Sequence, residues 1–238
     1  MLSIIIPLRN EIENLEKIEE KFKENFDNFP HEVLLINDFS TDNTIDLAKN
    51  ICQKNKNFKI FNNEKKGLGG AINMGIEKSQ GNYICIMMAD LSDDFDDLEK
   101  YYNNIKNDNL DAIFGSRFLK ESKVNDYPFK KLILNRIFNF VVSILFLNKY
   151  NDYTNAFKIY RAQKIKNMLP FISESFNIFL EIPLKFISRG CSYKIIPINW
   201  YNRKVGTAKF DIKELRSKYI FTLIYCLIEK LLLRKKER

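Results

Sequence analysis

Short apolar runs alternate with amphipathic stretches through the first half of the chain. Residues 2–6, 33–36, 58–61, 83–87 and 112–114 are mostly β-branched or aromatic and carry almost no charge. That pattern predicts strands buried on both faces. Between them, residues 11–26, 42–54, 70–78 and 95–106 carry helical spacing. The alternation predicts an α/β fold, a mostly parallel sheet with helices on both faces. Ligands in such sheets bind beyond the carboxyl ends of the strands, so the loops after the strands are where chemistry is expected.

The second half reads differently. Residues 130–147 predict a helix that is apolar on nearly all sides, with Asn135, Asn139 and Ser143 forming a narrow polar stripe. A strand at 157–160, a helix at 176–188 and a last strand at 193–198 follow. From 211 to 236, Ile212, Leu215, Tyr219, Leu223, Leu227 and Leu231 recur at steps of three and four. This predicts an amphipathic helix with basic residues at both ends. The division expected is a domain over 1–210 and a basic C-terminal helix over 211–238.

Charge sharpens the view of that tail. The net charge is +8, and residues 203–238 hold +7 of it, which points to an anionic surface or ligand. The tail interleaves its basic residues with long aliphatics rather than stacking aromatics, so nucleic acid is not the expected partner. No apolar run reaches the roughly 18 residues that span a bilayer. The N-terminus has no basic start or long apolar stretch, and no secretory leader is expected. The four cysteines, Cys52, Cys85, Cys191 and Cys226, are far apart with no metal spacing, which suits a reduced, cytoplasmic setting. The single histidine, His31, rules out a His-rich zinc site and reads as a surface residue.

Three loops carry candidate chemistry. In residues 37–44 an acid at a strand end, Asp38, can accept hydrogen bonds from a ribose or base, and Ser40, Thr41 or Asp42 can cap the next helix. Residues 66–75 hold Gly67, Gly69, Gly70, Asn73 and Gly75. Glycines before a helix permit close approach to phosphate, although the order is not the dinucleotide fingerprint. Residues 90–97 hold five aspartates. Crowded carboxylates favour a hard cation, Mg²⁺ or Mn²⁺. Asp90 is the expected ligand, Asp96 and Asp97 are expected at a helix start, and Asp93 and Asp94 stay open between the two roles.

These segments together resemble family 2 glycosyltransferases of the GT-A fold: Pro7-x-Arg9-Asn10-Glu11, Asn37-Asp38-x-Ser40-x-Asp42-x-Thr44, Gly67 through Asn73-x-Gly75, Met88-Ala89-Asp90 and Gly115-Ser116-Arg117. Asp152-Tyr153-Thr154-Asn155-Ala156-Phe157, Glu181 and Asn202-Arg203-x-x-Gly206-x-x-Lys209 are similar to the dolichyl-phosphate mannosyltransferase branch. The resemblance implies a nucleotide-sugar donor and a divalent cation. By position, Pro7, Arg9, Glu11, Asp38, Gly67 and Asn73 would hold the donor. Asp90 would hold the metal and diphosphate, with Asp93 standing in for a second carboxylate, because Met88 replaces the first Asp of the usual motif. Arg117 would approach the phosphates or the sugar, and Arg203 and Lys209 would hold phosphate groups. Asp152, Thr154 and Asn155 would bind acceptor or sugar.

The function expected is transfer of a hexose from a nucleotide sugar to a polyprenyl phosphate or a related cell-envelope glycan intermediate. A phosphate acceptor is already anionic near pH 7 and needs no strong base, whereas a hydroxyl acceptor would require one, for which Glu181 is the candidate. The alternatives are a binding protein that kept the fold without catalysis and, less well matched, a sugar-phosphate nucleotidyltransferase, since Pro7–Glu11 has no glycine. The two late helices are expected to lie on an anionic membrane surface, making the protein peripheral to the inner face of a membrane. For residues 137–147 the other readings are core packing or an interface with a membrane protein or a second copy.

Overall fold

A computed structural model describes residues 1–26, 30–202 and 212–236, the side chains of 212–216 and 234–236 aside. The elements in chain order are β1 (Leu2–Leu8), α1 (Ile12–Phe26), β2 (His31–Asn37), α2 (Thr44–Lys54), β3 (Phe58–Asn62), α3 (Leu68–Lys78), β4 (Tyr83–Ile86), α4 (Phe95–Asn107) and β5 (Ala112–Ser116). There follow β6 (Val124–Asn125), α5 (Phe129–Phe146), β7 (Lys158–Arg161), α6 (Ala162–Lys166), α7 (Ile178–Ser188), β8 (Tyr193–Pro197), β9 (Trp200–Tyr201) and α8 (Ile212–Lys236). A seven-stranded sheet has the order β3-β2-β1-β4-β7-β5-β8, and β6 pairs with β9 apart from it.

The expected α/β architecture is present. Strands β1 to β4 are parallel, as are β5 and β8. Strand β7 runs antiparallel between β4 and β5. That reversal brings the segment before β7 to the sheet edge where β4 and β5 end.

Every residue of β1 is buried because both faces are covered. Leu2, Ile4, Ile6 and Leu8 join a core layer with α1, α2 and α4, whereas Ile5 joins the opposite layer with α3, α5, α6 and α7. This is the period-2 alternation of a strand sandwiched between helices. His31, expected at the surface, is instead buried and stacked on Phe22. As the first residue of β2 it lies under α1, which the local Pro30-His31-Glu32 context does not reveal.

The late helices invert the simplest reading of their patterns. On α5 the polar stripe turns inward. Asn139 is buried, while Phe129, Leu134, Ile137, Phe140 and Ile144 are exposed. On α8 the expected stripe is inward at Tyr219, Leu223 and Leu227, which pack against the core, whereas its last member, Leu231, is exposed. A second apolar row, Ile220, Phe221, Ile224, Ile228, Leu231 and Leu232, faces out. Thr222 and Cys226 are wholly buried, so the described part of α8 shares its core with the sheet domain. No helix among the described residues is long and apolar enough to cross a membrane.

Candidate functional site

The ends of the parallel strands build one rim. Pro7 is buried near the end of β1, and Leu8 accepts a backbone hydrogen bond from Asp38 at 2.7 Å. The exposed turn after β1 is latched to the turn after β2: the Asn10 backbone N–H donates to Ser40 Oγ at 3.1 Å, and Thr41 N–H donates to Asn10 Oδ1 at 2.8 Å. Glu11 N–H donates to Thr44 Oγ1 at 2.9 Å. Asp42 accepts the Thr44 N–H at 3.0 Å from just before the helix, while the N-cap position of α2 falls to Asn43 rather than to Ser40, Thr41 or Asp42. Arg9 is exposed and Glu11 half-buried on this rim.

Asp38 is buried, and its Oδ1 accepts the N–H of Gly67 at 2.7 Å and the Asn63 amide at 2.8 Å. The acid therefore fixes the turn that opens α3. Gly67 has φ +118°, and a Cβ there would lie 2.7 Å from the Glu174 carbonyl oxygen. Only glycine meets both conditions without strain. Asn73 lies one turn into α3. Its side chain donates to the Phe171 carbonyl at 3.0 Å and accepts the Phe171 N–H at 2.9 Å. The geometry gives Asn73 a bracing role behind the glycine turn.

Beyond β4 the acidic run divides as two functions. Asp94 caps α4, accepting the Asp96 N–H at 3.0 Å, and Asp97 accepts the Asn199 N–H at 2.7 Å and pairs with Lys100. Such acids suit a helix start. Asp90 and Asp93 are left to the rim. Asp90 Oδ1 accepts the Ser92 N–H at 3.1 Å, and Asp93 accepts the Met88 N–H at 3.3 Å. Burial, and then the neighbouring charge of Asp90, push the Asp93 carboxyl up to about 7. A carboxyl so placed gains from a cation. Among the described residues no three His, Cys, Asp or Glu side chains form a metal cage. Two aspartates still fit Mg²⁺ or Mn²⁺, which commonly take one or two carboxylates and draw other ligands from substrate phosphates and water.

Arg117 and Asp152 form the electrostatic centre of the second half of the rim. Arg117 Nε and Nη2 donate to Asp152 at 2.9 and 2.7 Å, and the Arg117 backbone N–H donates to Asp152 Oδ2 at 2.9 Å. Both side chains are buried. Burial pulls the guanidinium pKa down, but the paired carboxylate outweighs it and holds Arg117 above its ordinary value. The guanidinium also lies 5.5 Å from the ring centres of Phe118 and Tyr127 and 6.0 Å from that of Trp200. These contacts pre-orient it. Asn155 donates to the Gly115 and Phe157 carbonyls, and Thr154 Oγ1 accepts from Asn135 at 2.7 Å. The inward polar stripe of α5 thus holds the 152–155 segment, with Asn139 accepting the Tyr153 N–H.

Lys158 escaped the sequence reading. It is fully buried on β7 and donates to the carbonyls of Tyr153 and Asn155. Burial lowers its pKa to about 7 against the pull of Asp152. A lone charge among Phe157, Ile159 and Tyr160 was the available signal. Tyr127, Trp200 and Asn63 gave none, because their roles depend on chain reversals.

Glu181 differs from the expected base. It is fully buried in α7. Its oxygens accept the N–H groups of Ile172 and Ser173 at 3.1 and 2.8 Å, and Lys185 pairs with it at 3.0 Å. The geometry makes it a loop anchor, because a base must reach the proton it abstracts. Arg203 and Lys209 lie outside the described residues. The others named above, apart from Glu181 and Asn73, meet along one sheet rim.

Comparison with known proteins gives the family and the fold. The family profile described as glycosyl transferase family 2 matches residues 3–169. The dolichol-phosphate mannosyltransferase of Pyrococcus furiosus is 30% identical over 135 residues, covering 57% of this chain and 38% of that protein. Glycosyltransferase AglD of Haloferax volcanii is 21% identical over 218 residues, covering 89% and 34%. The chain thus spans little more than a third of these curated relatives. Among solved structures, glucosyl-3-phosphoglycerate synthase from Mycobacterium tuberculosis with phosphoglyceric acid superposes with TM-score 0.74 at 13% identity, over 95% of this chain and 80% of that one. Its complex with Mn²⁺, uridine diphosphate and glucosyl-3-phosphoglycerate gives 0.73 at 12% identity, with the same coverage. The fold is therefore GT-A.

Proposed function

Since the chain belongs to glycosyl transferase family 2, we propose that it transfers a hexose from a nucleotide sugar to a polyprenyl-phosphate-type lipid, or to a related cell-envelope glycan intermediate. The observation that carries this reading is the shared rim. The Asp38–Gly67 turn, the Asp90–Asp93 turn and the Arg117–Asp152 pair stand beyond the carboxyl ends of β2, β4 and β5, with β1 and β7 between them, at one end of the same sheet.

Pro7, Arg9, Glu11, Asp38 and Gly67 would hold the nucleoside end of the donor. Asp90, with Asp93, would hold Mg²⁺ or Mn²⁺. Such a cation, when bound, offsets the charge that grows on the departing nucleoside diphosphate. Arg117 is already oriented by Asp152, so it can face developing negative charge without reorganising. Lys158 keeps the 152–155 segment in place, with Thr154 and Asn155 beside the acceptor. Arg203 and Lys209 are the further phosphate-holding candidates, on the resemblance alone.

A phosphate acceptor is favoured over a hydroxyl. The only base candidate in the sequence reading, Glu181, is buried and engaged with two backbone N–H groups and Lys185. An anionic phosphate oxygen attacks without a base.

Docking on an anionic membrane surface is supported by the outward apolar rows of the neighbouring helices α5 and α8. Exposed Lys130, Lys131 and Arg136 flank the first row. Apolar burial plus basic attraction is how such helices lie on lipid. This reading places the enzyme on the cytoplasmic face of a membrane.

The test is hydrolysis and transfer across a panel of nucleotide sugars with Mg²⁺ or Mn²⁺, with and without polyprenyl phosphate on anionic liposomes. Donor turnover that rises on adding the lipid phosphate is expected. Turnover only with a soluble hydroxyl acceptor would overturn the lipid reading, and no turnover of any donor would leave a binding protein.

A further inference from the structure

The loop of residues 171–174 packs across the glycine turn that opens α3. Its Glu174 carbonyl accepts the Gly69 N–H at 3.0 Å, and a Cβ on Gly69 would fall 1.8 Å from the Ser173 carbonyl oxygen. The turn and the strap are therefore in backbone contact. The strap is secured from below. Glu181 on α7 takes the N–H groups of Ile172 and Ser173. Ser173 Oγ lies 3.3 Å from Thr222 Oγ1 of α8 and accepts from Asn177 at 2.9 Å, and Asn177 also donates to Thr222 at 2.9 Å. Thr222 and Glu181 have no exposure, and Ser173 and Asn177 have almost none.

A buried polar network costs free energy unless every member is satisfied, and its partners then hold one geometry. Here the network spans three separate pieces of chain, and among the described residues it reaches the rim through the strap. We infer that Thr222 and Glu181 are positioning residues for the donor turn. Through the strap they hold the Gly67–Gly69 backbone against Asp38, so that the C-terminal helix is part of the nucleotide site's support. This rests on the proposed reading of the Gly67 turn as the seat of the donor.

The outward face of α8 is apolar and exposed while its inward face carries Thr222. One helix thus bears both the proposed docking surface and the strap's anchor, with different residues serving each.

The test uses the full chain with Thr222→Val, which keeps shape and removes the hydroxyl, and Thr222→Ser, which restores it. Hydrogen exchange of amides 67–71 is measured without ligand, and dissociation constants are measured for uridine, guanosine and cytidine diphosphate with Mn²⁺. Exchange of those amides at least five-fold faster in Thr222→Val, with Thr222→Ser within two-fold of the parent, is expected. A nucleotide dissociation constant raised five-fold or more, with turnover at saturation nearly unchanged, is expected alongside. Unchanged exchange at 67–71 in Thr222→Val overturns the inference. If Thr222→Val does not fold, Ser173→Ala carries the same expectation and the same refutation. If the parent binds none of the three nucleotides, the donor reading fails, while the ligand-free exchange still decides whether the helix holds the turn.

Discussion

Replacing Asp152 by Asn tests the electrostatic centre most directly. The side chains are nearly isosteric, so packing is preserved and charge is the variable. In the parent, three N–H groups of Arg117 converge on the two carboxylate oxygens at 2.7–2.9 Å. Asn offers one oxygen, and its amide N–H₂ meets donors rather than acceptors. A buried guanidinium is left without its counter-charge. Removing one partner of a buried ion pair costs about 3–5 kcal/mol, and at an effective dielectric near 20 a pair of charges about 4 Å apart contributes a similar ~4 kcal/mol. For a chain of this size about 2–4 °C is lost per kcal/mol, so melting is expected to fall by roughly 6–20 °C. Urea unfolding at pH 7.5, followed by circular dichroism, measures the loss. Glu24→Gln is the control. It breaks the exposed Lys21–Glu24 pair, where a loss below about 1 kcal/mol is expected. If Asp152→Asn unfolds within about 1 kcal/mol of the parent, the pair does not organise this site and the argument for a pre-oriented Arg117 collapses.

Three further outcomes are expected. Asp90→Ala abolishes sugar transfer while melting stays level or rises slightly, since a crowded charge is removed; a fully active variant refutes the metal–diphosphate role. Asp93 keeps its proton in the folded state up to about pH 7 against an ordinary value of 3.8. The folded state thus binds the extra proton in that window, and stability falls as pH rises through it. Asp93→Asn, with no proton to lose, should gain in melting temperature over the parent at pH 8 and lose that advantage toward pH 4, and a difference independent of pH counts against the shift. Ile224→Glu with Ile228→Glu, both on the outward row of α8, should stop sedimentation with anionic liposomes without lowering the melting temperature by more than a few degrees; a double variant that still sediments as the parent does removes α8 from the docking surface.

The apolar pattern along the chain was enough to lay out the main strands and helices and the loops that matter, though not the short β6, α6 and β9. Strands buried on both faces must be apolar throughout, and helices between them must alternate, so 2–6, 33–36, 83–87 and 112–114 announced a parallel sheet. Position beyond a strand end marked Asp38, Gly67 and Asp90 as candidates, and the resemblance to family 2 glycosyltransferases added Arg117 and Asp152. The split of the acidic run was legible as well: Asp97 sits in the first turn of α4 and Asp90 does not. What tertiary structure decided was which face of each element is covered, since periodicity reports that two faces differ but not which one finds a partner. The polar stripe of α5 turned inward to hold the Tyr153 backbone N–H and the Thr154 hydroxyl. The α8 stripe went to the core at Tyr219, Leu223 and Leu227, and a second apolar row was left outside. His31 was covered by α1. The antiparallel insertion of β7 between β4 and β5 joined Asp152 to Arg117 across 35 residues of chain. Glu181 carries no local sign of whether its carboxylate meets solvent or backbone. Only the return of the 171–174 loop over α7 supplied the two N–H groups that hold it buried.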